Sequence, residues 1–169
     1  MSDTASVAEI GLQNPKNVSN VGSALRAAGC FGATHIYYSG QRYDKALPFA
    51  EAADKHRHGI ELEKVESLVD ARKKGFTVVA VELAVGAESL ADFTHPEKAL
   101  YLFGPEDGSL DQKTVNACDY VVYIPTKGCL NLAATVNVLL YDRTVKQASI
   151  EAGDELIISS RDNRNRLVC

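Results

Sequence analysis

Two short apolar runs, each ended by a glycine or a proline, constrain the fold of this chain more than any other feature. Residues 99–103 (ALYLF) and 120–124 (YVVYI) have the length of a β-strand and are rich in aromatic and aliphatic residues. Gly104 ends the first run and Pro125 ends the second. Strands that are apolar at nearly every position are typical of parallel sheets, which are covered on both faces. We therefore predict that both runs are buried parallel strands.

Strand and helix patterns alternate along most of the chain, which predicts an α/β fold with a mostly parallel sheet and helices on both faces. The other predicted strands are 7–12, 34–38 and 76–83, and the predicted helices are 17–29, 65–74, 111–117, 130–146 and a segment around 49–55. Asn17 and Ser109 are the predicted N-caps of two of these helices. Residues 151–158 are expected to form a short strand or a poorly ordered end.

The helix predicted over 130–146 has a wide apolar face. Leu132, Val136, Leu139 and Leu140 fall on one side of it, at helical spacing. One chain of 169 residues can cover such a face with its sheet, with a second subunit, or with both. A homodimer is therefore one of the expected arrangements.

Composition excludes several classes of protein. The chain is 46% apolar and 24% charged, as expected for one globular domain, and it has no apolar run long enough to span a membrane. Its first residues lack the features of a signal peptide, so a cytoplasmic location is expected. The four cysteines contain no Cys-x-x-Cys pair, and His56 and His58 are two residues apart, which suits a metal pair poorly. Reduced cysteines and no metal are expected.

Three motifs carry a family resemblance. They are residues 14–22 (NPKNVSNVG) followed by Arg26, residues 103–108 (FGPEDG), and residues 124–142, which begin with Ile-Pro. Together they resemble the three motifs of the SpoU (TrmH-type) RNA 2'-O-ribose methyltransferases of the SPOUT superfamily. The resemblance covers about residues 11–143. It implies S-adenosylmethionine as cofactor, RNA (tRNA or rRNA) as partner, a homodimer whose interface adjoins the cofactor, and a C-terminal trefoil knot.

The resemblance also assigns site residues. It implies catalytic roles for Arg26, Asn20, Glu106 and Asn131, with Arg26 at the ribose 2'-oxygen and Glu106 holding either Arg26 or a neighbouring loop. Residues expected at the cofactor are Glu82, Leu83, Phe103, Gly104, Ile124, Gly128, Cys129 and Leu130. Glu82 and Leu83 are chosen because ligands of α/β folds bind at the carboxyl ends of strands. The glycines would let main chain approach the ligand.

Each assignment has a structural alternative. Arg26 could be a solvated helix residue, Glu82 could be an edge residue near a surface loop, and the glycines could simply end strands. Compared with the family, the third motif has a shortened loop, because Gly128 is followed directly by Cys129, Leu130 and Asn131. Cys129 takes the place of a serine, and a thiol is a weaker hydrogen-bond donor than a hydroxyl. A nucleophilic role for Cys129 is disfavoured, because methyl transfer needs no covalent intermediate.

The charge pattern limits how the chain can bind RNA. The net charge is -4, and residues 76–140 hold eight acidic side chains but only three cationic ones. A cationic surface must be assembled in space from Lys16, Arg26, Arg42, Lys45, Lys55, Arg57, Arg72, Lys73, Lys74, Arg161, Arg164 and Arg166. His56 and His58, which flank Arg57, are either surface residues or part of a basic loop that faces RNA.

The leading hypothesis is thus an S-adenosylmethionine-dependent RNA 2'-O-methyltransferase formed by one domain over residues 1–169, without a separate RNA-binding domain and with a flexible tail over 148–169. The alternative is a non-catalytic RNA-binding or cofactor-sensing dimer with the same fold. A nucleotide-binding oxidoreductase is disfavoured, because the chain has neither a Gly-x-Gly-x-x-Gly nor a Walker pattern.

Overall fold

A computed structural model of the chain describes residues 6–49 and 59–169. Its strands are β1 (Val7–Leu12), β2 (His35–Tyr38), β3 (Glu61–Lys64), β4 (Thr77–Val81), β5 (Glu88–Ser89), β6 (Lys98–Phe103) and β7 (Tyr120–Tyr123). Its α-helices are α1 (Val18–Cys30), α2 (Arg42–Ala46), α3 (Gln112–Asn116), α4 (Leu132–Gln147) and α5 (Asp154–Ser160), and a 3-10 turn covers Leu47–Phe49.

The strands form one sheet in the order β3-β2-β1-β6-β4-β7-β5, and every strand pair is parallel. Parallel strands place all their carboxyl ends at one edge of the sheet. The α/β fold with a parallel sheet is therefore confirmed. The trefoil knot stays a prediction.

The two faces of the sheet are covered differently. Helices α1 and α4 pack on one face, where Ile10, Leu12 and Tyr101 join apolar residues of both helices in the larger core. The other face carries a smaller core around Leu100 and Leu102, covered by residues 65–76 and by the region of α3. The expectation of helices on both faces is confirmed, since Val115 of α3 packs against the second core.

Most predicted elements are present, with ends that shift by one or two residues. Asn17 is the N-cap of α1, as predicted, and its side-chain oxygen accepts hydrogen bonds from the amides of Ser19 and Asn20. The N-cap of α3 is Asp111 rather than Ser109, because the Asp111 carboxylate accepts the amide of Thr114. The predicted segment around 49–55 lies mostly outside the described residues, and Phe49 ends the 3-10 turn.

Two predictions of secondary structure are wrong, and strands β3 and β5 were not predicted. Residues 65–74 form successive turns rather than a helix, and the hydroxyl of Ser67 accepts the amide of Asp70 in the first of these turns. Strand β3 was missed because its sequence, ELEK, has no apolar alternation. Residues 154–160 form helix α5, with none of its residues buried, where a short strand or a poorly ordered end was expected over 151–158.

Within the described ranges, no helix is long and apolar enough to cross a membrane. The four cysteines are free, as expected. Burial raises the pKa of the Cys118 thiol to about 11, and this thiol donates a hydrogen bond to the carbonyl oxygen of Thr114. Cys118 is thus a core residue that stays protonated at neutral pH.

Candidate active site

A cavity of about 480 Å³ opens at the carboxyl ends of β4, β6 and β7. Its volume is in the range of small-molecule sites. The cavity is lined by Val81, Glu82, Leu83, Phe103, Gly104, Pro105, Glu106, Gly108, Ser109, Ile124, Thr126, Cys129, Leu130, Leu132 and Thr135. The lining includes every residue expected at the cofactor except Gly128. The second and third sequence motifs therefore meet in one cavity, together with the end of β4.

Glu82 organises the wall of this cavity. One of its carboxylate oxygens accepts the amide of Leu110 at 2.9 Å, and the other accepts the amide of Leu83 at 2.9 Å. The end of β4 is thereby tied to the loop that follows β6. Glu82 is consequently more than an edge residue near a surface loop, since both of its oxygens hold main chain in place.

The two motif glycines differ in their surroundings. A Cβ atom at Gly104 would lie 2.7 Å from the backbone nitrogen of Leu110 and 2.9 Å from the carbonyl carbon of Ser109. A Cβ atom at Gly128 would have nothing within 4 Å. Gly104 is thus required by a close approach of two loops at the cavity wall. Gly128 is open, and its carbonyl oxygen accepts a hydrogen bond from the hydroxyl of Thr126.

Glu106 connects the cavity to the first motif. Its carboxylate accepts the amides of Lys16 and Asn17 at 2.9 and 3.0 Å and the side-chain amide of Asn20 at 3.2 Å. Partial burial acts to raise the pKa of Glu106, but the hydrogen bonds from these amides outweigh it and the pKa is lowered. Of the two roles expected for Glu106, the geometry matches the holding of a neighbouring loop rather than of Arg26.

A second ionic cluster fixes the same loops. The guanidinium of Arg42 donates two hydrogen bonds to the carbonyl oxygen of Asn14 and contacts both carboxylate oxygens of Asp107, at 2.8 and 3.0 Å. Lys16 also binds Asp107, at 3.2 Å. Hydrogen bonds from Arg42, then from Lys16, lower the pKa of Asp107. Sequence reasoning counted Arg42 only as a surface cation, and no local signal links it to Asp107, which lies 65 positions away.

Asn131 is the N-cap of α4. Its side-chain oxygen accepts the amide of Ala134 at 2.7 Å, and its carbonyl oxygen accepts the hydroxyl of Thr135 at 2.8 Å. Thr135 lines the cavity, whereas Asn131 does not. Asn131 therefore fixes the start of the helix that forms one wall, and its carboxamide nitrogen remains available to a ligand.

Arg26 lies apart from these contacts. It is exposed on α1, it does not line the cavity, and none of the described residues forms a hydrogen bond or an ion pair with it. Asn20, on the same helix, reaches the cavity through Glu106. Within one subunit, Glu106 and Asn20 are therefore in contact with each other, and Arg26 is in contact with neither of them.

Several cations proposed for RNA are paired with acidic neighbours. Lys16 and Arg42 share the one carboxylate of Asp107, Arg72 binds Asp119, and Lys73 binds Glu9. Lys55 and Arg57 lie outside the described residues, as do His56 and His58. These pairs lower the positive charge that the described cations leave free for phosphates.

Sequence comparisons with known proteins identify a family and several relatives of this chain. The family model described as the SpoU rRNA methylase family matches residues 8–141. An uncharacterized tRNA/rRNA methyltransferase of Archaeoglobus fulgidus is 30% identical over 141 residues, which cover 77% of this chain and 61% of that protein. A 23S rRNA (guanosine-2'-O-)-methyltransferase of Nitrosomonas europaea is 24% identical, with 90% of this chain and 61% of that protein covered.

Solved structures show the same fold. The SpoU methyltransferase AviRb from Streptomyces viridochromogenes, solved in complex with AdoMet, matches with a TM-score of 0.69 at 23% identity, over 86% of this chain and 59% of that chain. A TrmH/SpoU tRNA-modifying enzyme of A. aeolicus matches with a TM-score of 0.67 at 18% identity, over 94% of this chain and 81% of that chain. The chain spans about three fifths of the length of the two curated relatives named above.

Proposed function

The chain belongs to the SpoU rRNA methylase family, and from this premise we propose that it is an S-adenosylmethionine-dependent RNA methyltransferase that acts on a ribose 2'-hydroxyl. The observation that supports the proposal most is the convergence of all three motifs. The second and third motifs line one cavity, and Glu106 joins that cavity to the first motif through two backbone amides and Asn20.

The cavity suits the proposed cofactor. Its apolar side chains, such as Phe103, Ile124 and Leu132, offer contacts to a flat aromatic ring. Gly104 has no side chain, so its main chain can form part of the cavity wall while the Ser109–Leu110 backbone packs closely against it. When bound, S-adenosylmethionine would supply a methyl group that is already activated by the sulfonium charge. The chain then mainly has to align the ribose and stabilise the charge that develops on its 2'-oxygen.

Arg26 is the proposed residue at that oxygen. A guanidinium remains protonated in proteins, so Arg26 cannot serve as a free base. It would instead stabilise the developing alkoxide and bind a substrate phosphate that helps to accept the proton. Asn20 and Asn131 would orient the ribose and Arg26, since a carboxamide both donates and accepts hydrogen bonds. The absence of any described partner for Arg26 leaves its five N–H donors free for substrate.

A binding experiment tests the cavity as the cofactor site. Gly104→Ala should weaken S-adenosylhomocysteine binding at least about tenfold, about 1.4 kcal/mol, because a Cβ atom there would push the Ser109–Leu110 backbone out of place. Asp92→Ala, at an exposed residue that does not line the cavity, is the control and should change affinity less than about twofold. Titration calorimetry gives both affinities. Equal affinities for the two variants, or no binding by the wild-type chain at millimolar ligand, would refute the cavity as the cofactor site.

We propose that the protein is a homodimer. Helix α4 exposes an apolar stripe of Val138, Tyr141 and Val145, at spacings of three and four residues, on the side away from its buried residues. The side chains of Tyr141 and Val145 are 61% and 58% exposed. An apolar stripe on a helix that also borders the cavity fits a symmetric partner whose interface adjoins the site.

Light scattering should give twice the 18.2 kDa of one chain at micromolar concentration. Tyr141→Glu should shift the mass towards that of the monomer, because it would bury a charge at the interface. Lys113→Glu on α3 is the control, and it should leave the mass unchanged. A wild-type mass of 18.2 kDa would refute the dimer.

A cytoplasmic location is part of the proposal, because the free cysteines suit a reducing compartment.

Catalysis itself is tested by incubating the chain with methyl-labelled S-adenosylmethionine and RNA, followed by digestion to nucleosides. Label in 2'-O-methylnucleosides supports the enzyme. Cofactor and RNA binding without transfer would instead support the non-catalytic dimer, for which the shortened loop and Cys129 are the observations in favour.

A further inference from the structure

The walls of the cavity carry charge of one sign only. Two of its lining residues, Glu82 and Glu106, have carboxylate side chains. Among the residues that the structure describes, no lysine, arginine or histidine lines the cavity, and its other lining residues are uncharged. A ligand in this cavity therefore meets two negative charges and no positive charge on the walls.

The carboxylate of Glu82 is fixed on the wall without being neutralised. Its two oxygens accept the amides of Leu83 and Leu110, both at 2.9 Å. Main-chain amides are neutral donors, so they hold the carboxylate in place and leave its net charge unchanged. Throughout residues 6–49 and 59–169, no lysine, arginine or histidine forms an ion pair with Glu82.

Glu106 has cations close by. Its pKa is lowered despite its partial burial, so it is ionised at neutral pH. The next residue, Asp107, is bound by both Lys16 and Arg42, and this group of three carries one net positive charge. That charge offsets part of the field of Glu106. Glu82 is therefore the carboxylate on the cavity wall whose charge is least compensated.

We propose that Glu82 makes the cavity selective for the positively charged cofactor over its neutral product. This inference rests on the proposed function. S-Adenosylmethionine carries a positive charge on sulfur, which S-adenosylhomocysteine lacks. A sphere with the volume of the cavity is about 10 Å across, close to one Debye length at physiological ionic strength, so salt screens a cation in it only partly from Glu82.

This selectivity would favour the exchange of product for fresh cofactor. Methyl transfer breaks the carbon–sulfur bond, whose electron pair stays on sulfur. The ribose oxygen forms the new bond to the methyl carbon and loses its proton to the substrate phosphate proposed above. The product is then neutral at sulfur, and Glu82 no longer attracts it.

The attraction acts on binding rather than on the chemical step. The positive charge on sulfur falls as the transition state is approached, so Glu82 stabilises the bound cofactor more than the transition state. Glu82 is thus a specificity residue for the ligand of the cavity. Its expected effect is on the relative affinities of cofactor and product.

The test is titration calorimetry of the full chain with S-adenosylmethionine and with S-adenosylhomocysteine, without RNA, so that no methyl group is transferred. In Glu82→Gln, the Kd of S-adenosylhomocysteine divided by that of S-adenosylmethionine should fall at least about threefold from its wild-type value, because one unit charge is lost close to the ligand. Glu61→Gln is the control. It removes an exposed carboxylate at the start of the edge strand β3, at the opposite end of the parallel sheet from the cavity, and should change the ratio less than about twofold.

The ratio separates charge from structure. A glutamine offers one acceptor oxygen where the carboxylate has two, so Glu82→Gln also loosens the wall. A loosened wall weakens both ligands alike and leaves the ratio unchanged. Salt gives a second readout that needs no variant, because added salt should weaken the binding of S-adenosylmethionine to wild type more than that of S-adenosylhomocysteine.

The outcomes distinguish this proposal from the proposed function. Equal ratios for wild type and Glu82→Gln, or equal salt dependence of the two ligands, would overturn the selectivity and leave the cavity as the cofactor site. Failure of both ligands to bind wild type at millimolar concentration would refute the cofactor site and the selectivity with it.

Discussion

Replacing Arg26 by alanine should lower kcat/KM for RNA methylation at least about a hundredfold, about 2.7 kcal/mol of transition-state stabilisation. The reason is that Arg26 is assigned to the ribose oxygen, where negative charge develops during transfer. The affinity for S-adenosylhomocysteine should stay close to that of wild type, because Arg26 does not line the cavity. Single-turnover transfer of labelled methyl groups and calorimetry measure the two effects separately.

Two further variants, one conservative substitution and one control, test this expectation. Arg26→Lys keeps the positive charge but loses the planar fork of donors, so it should recover only part of the activity. Lys113→Ala removes an exposed cation of α3 that neither lines the cavity nor belongs to the expected RNA surface, and it should leave activity near that of wild type. Methyl transfer by Arg26→Ala at close to the wild-type rate would show that Arg26 is an ordinary solvated residue of α1.

Mixed dimers test which cavity Arg26 serves. Arg26 has no described contact within its own subunit, so we expect it to act on a ribose held against the cofactor of the partner. A dimer of one Arg26→Ala subunit and one Gly104→Ala subunit would then keep one complete site, formed by the intact Arg26 of the second subunit and the intact cavity of the first. At a cofactor concentration too low to saturate Gly104→Ala, mixing the two variants should raise activity above the sum of the activities of the two variants alone. If mixing gives no more than this sum, each Arg26 serves its own cavity.

Replacing Arg143 by alanine should lower the free energy of unfolding by about 3 kcal/mol or more. Arg143 is 4% exposed on α4, and its guanidinium donates to the hydroxyl of Tyr101 at 2.7 Å and to that of Ser6 at 2.7 Å. It also donates to three carbonyl oxygens, those of Val7, Pro96 and Glu97. Removing it would break five hydrogen bonds at once, including the buried one to Tyr101, and would loosen the contact of α4 with the starts of β1 and β6.

The surroundings of Arg143 explain why so large a loss is expected. Burial raises the pKa of Tyr101 to about 12, so its hydroxyl remains protonated and can accept from Arg143 while it bonds to His95. Burial also lowers the pKa of His95, which keeps this ring neutral at pH 7 beside Asp142. The Arg143–Tyr101 and Tyr101–His95 contacts at the centre of this network are buried, where a lost partner costs more than at the surface.

Urea unfolding monitored by circular dichroism measures this effect. The control is Arg72→Ala, which breaks the half-exposed ion pair with Asp119 and should cost less than about 1 kcal/mol. An Arg143→Ala variant that is as stable as Arg72→Ala would show that the buried hydrogen bonds of Arg143 contribute little to the stability of the fold.

The strands were predictable because their apolar runs are continuous and are ended by residues that break strands. Residues 99–103 and 120–124 were placed within one residue of β6 and β7. The cavity followed from the same reasoning, since parallel strands must end at a common edge. Glu82, Gly104 and Ile124 could therefore be assigned to one wall without knowledge of the sheet order.

What could not be predicted depends on contacts between distant residues. The pairing of Arg42 with Asp107 and the five hydrogen bonds of Arg143 arise only when loops and strands far apart in the chain meet. The edge strand β3 has no apolar alternation in its sequence. Its pairing with β2 is what identifies it as a strand. Its place in the sheet could not be predicted from the local sequence pattern.

The position of Arg26 is the most informative difference between expectation and structure. The motif resemblance grouped Arg26 with Glu106 and Asn20, but within one subunit only the latter two are in contact. A sequence motif indicates which residues serve one function. It does not indicate whether they come from the same subunit or from two subunits of a dimer. The homodimer, which is itself a proposal, is the simplest arrangement that reunites the three.

The most direct measurement is a map of 2'-O-methylated riboses in the RNA of cells with and without the gene for this chain. We predict that a small, discrete set of riboses in tRNA or rRNA loses the methyl group when the gene is removed. Expression of the wild-type chain should restore methylation at those positions, and expression of Arg26→Ala should not. Identical maps with and without the gene, or full restoration by Arg26→Ala, would contradict the account.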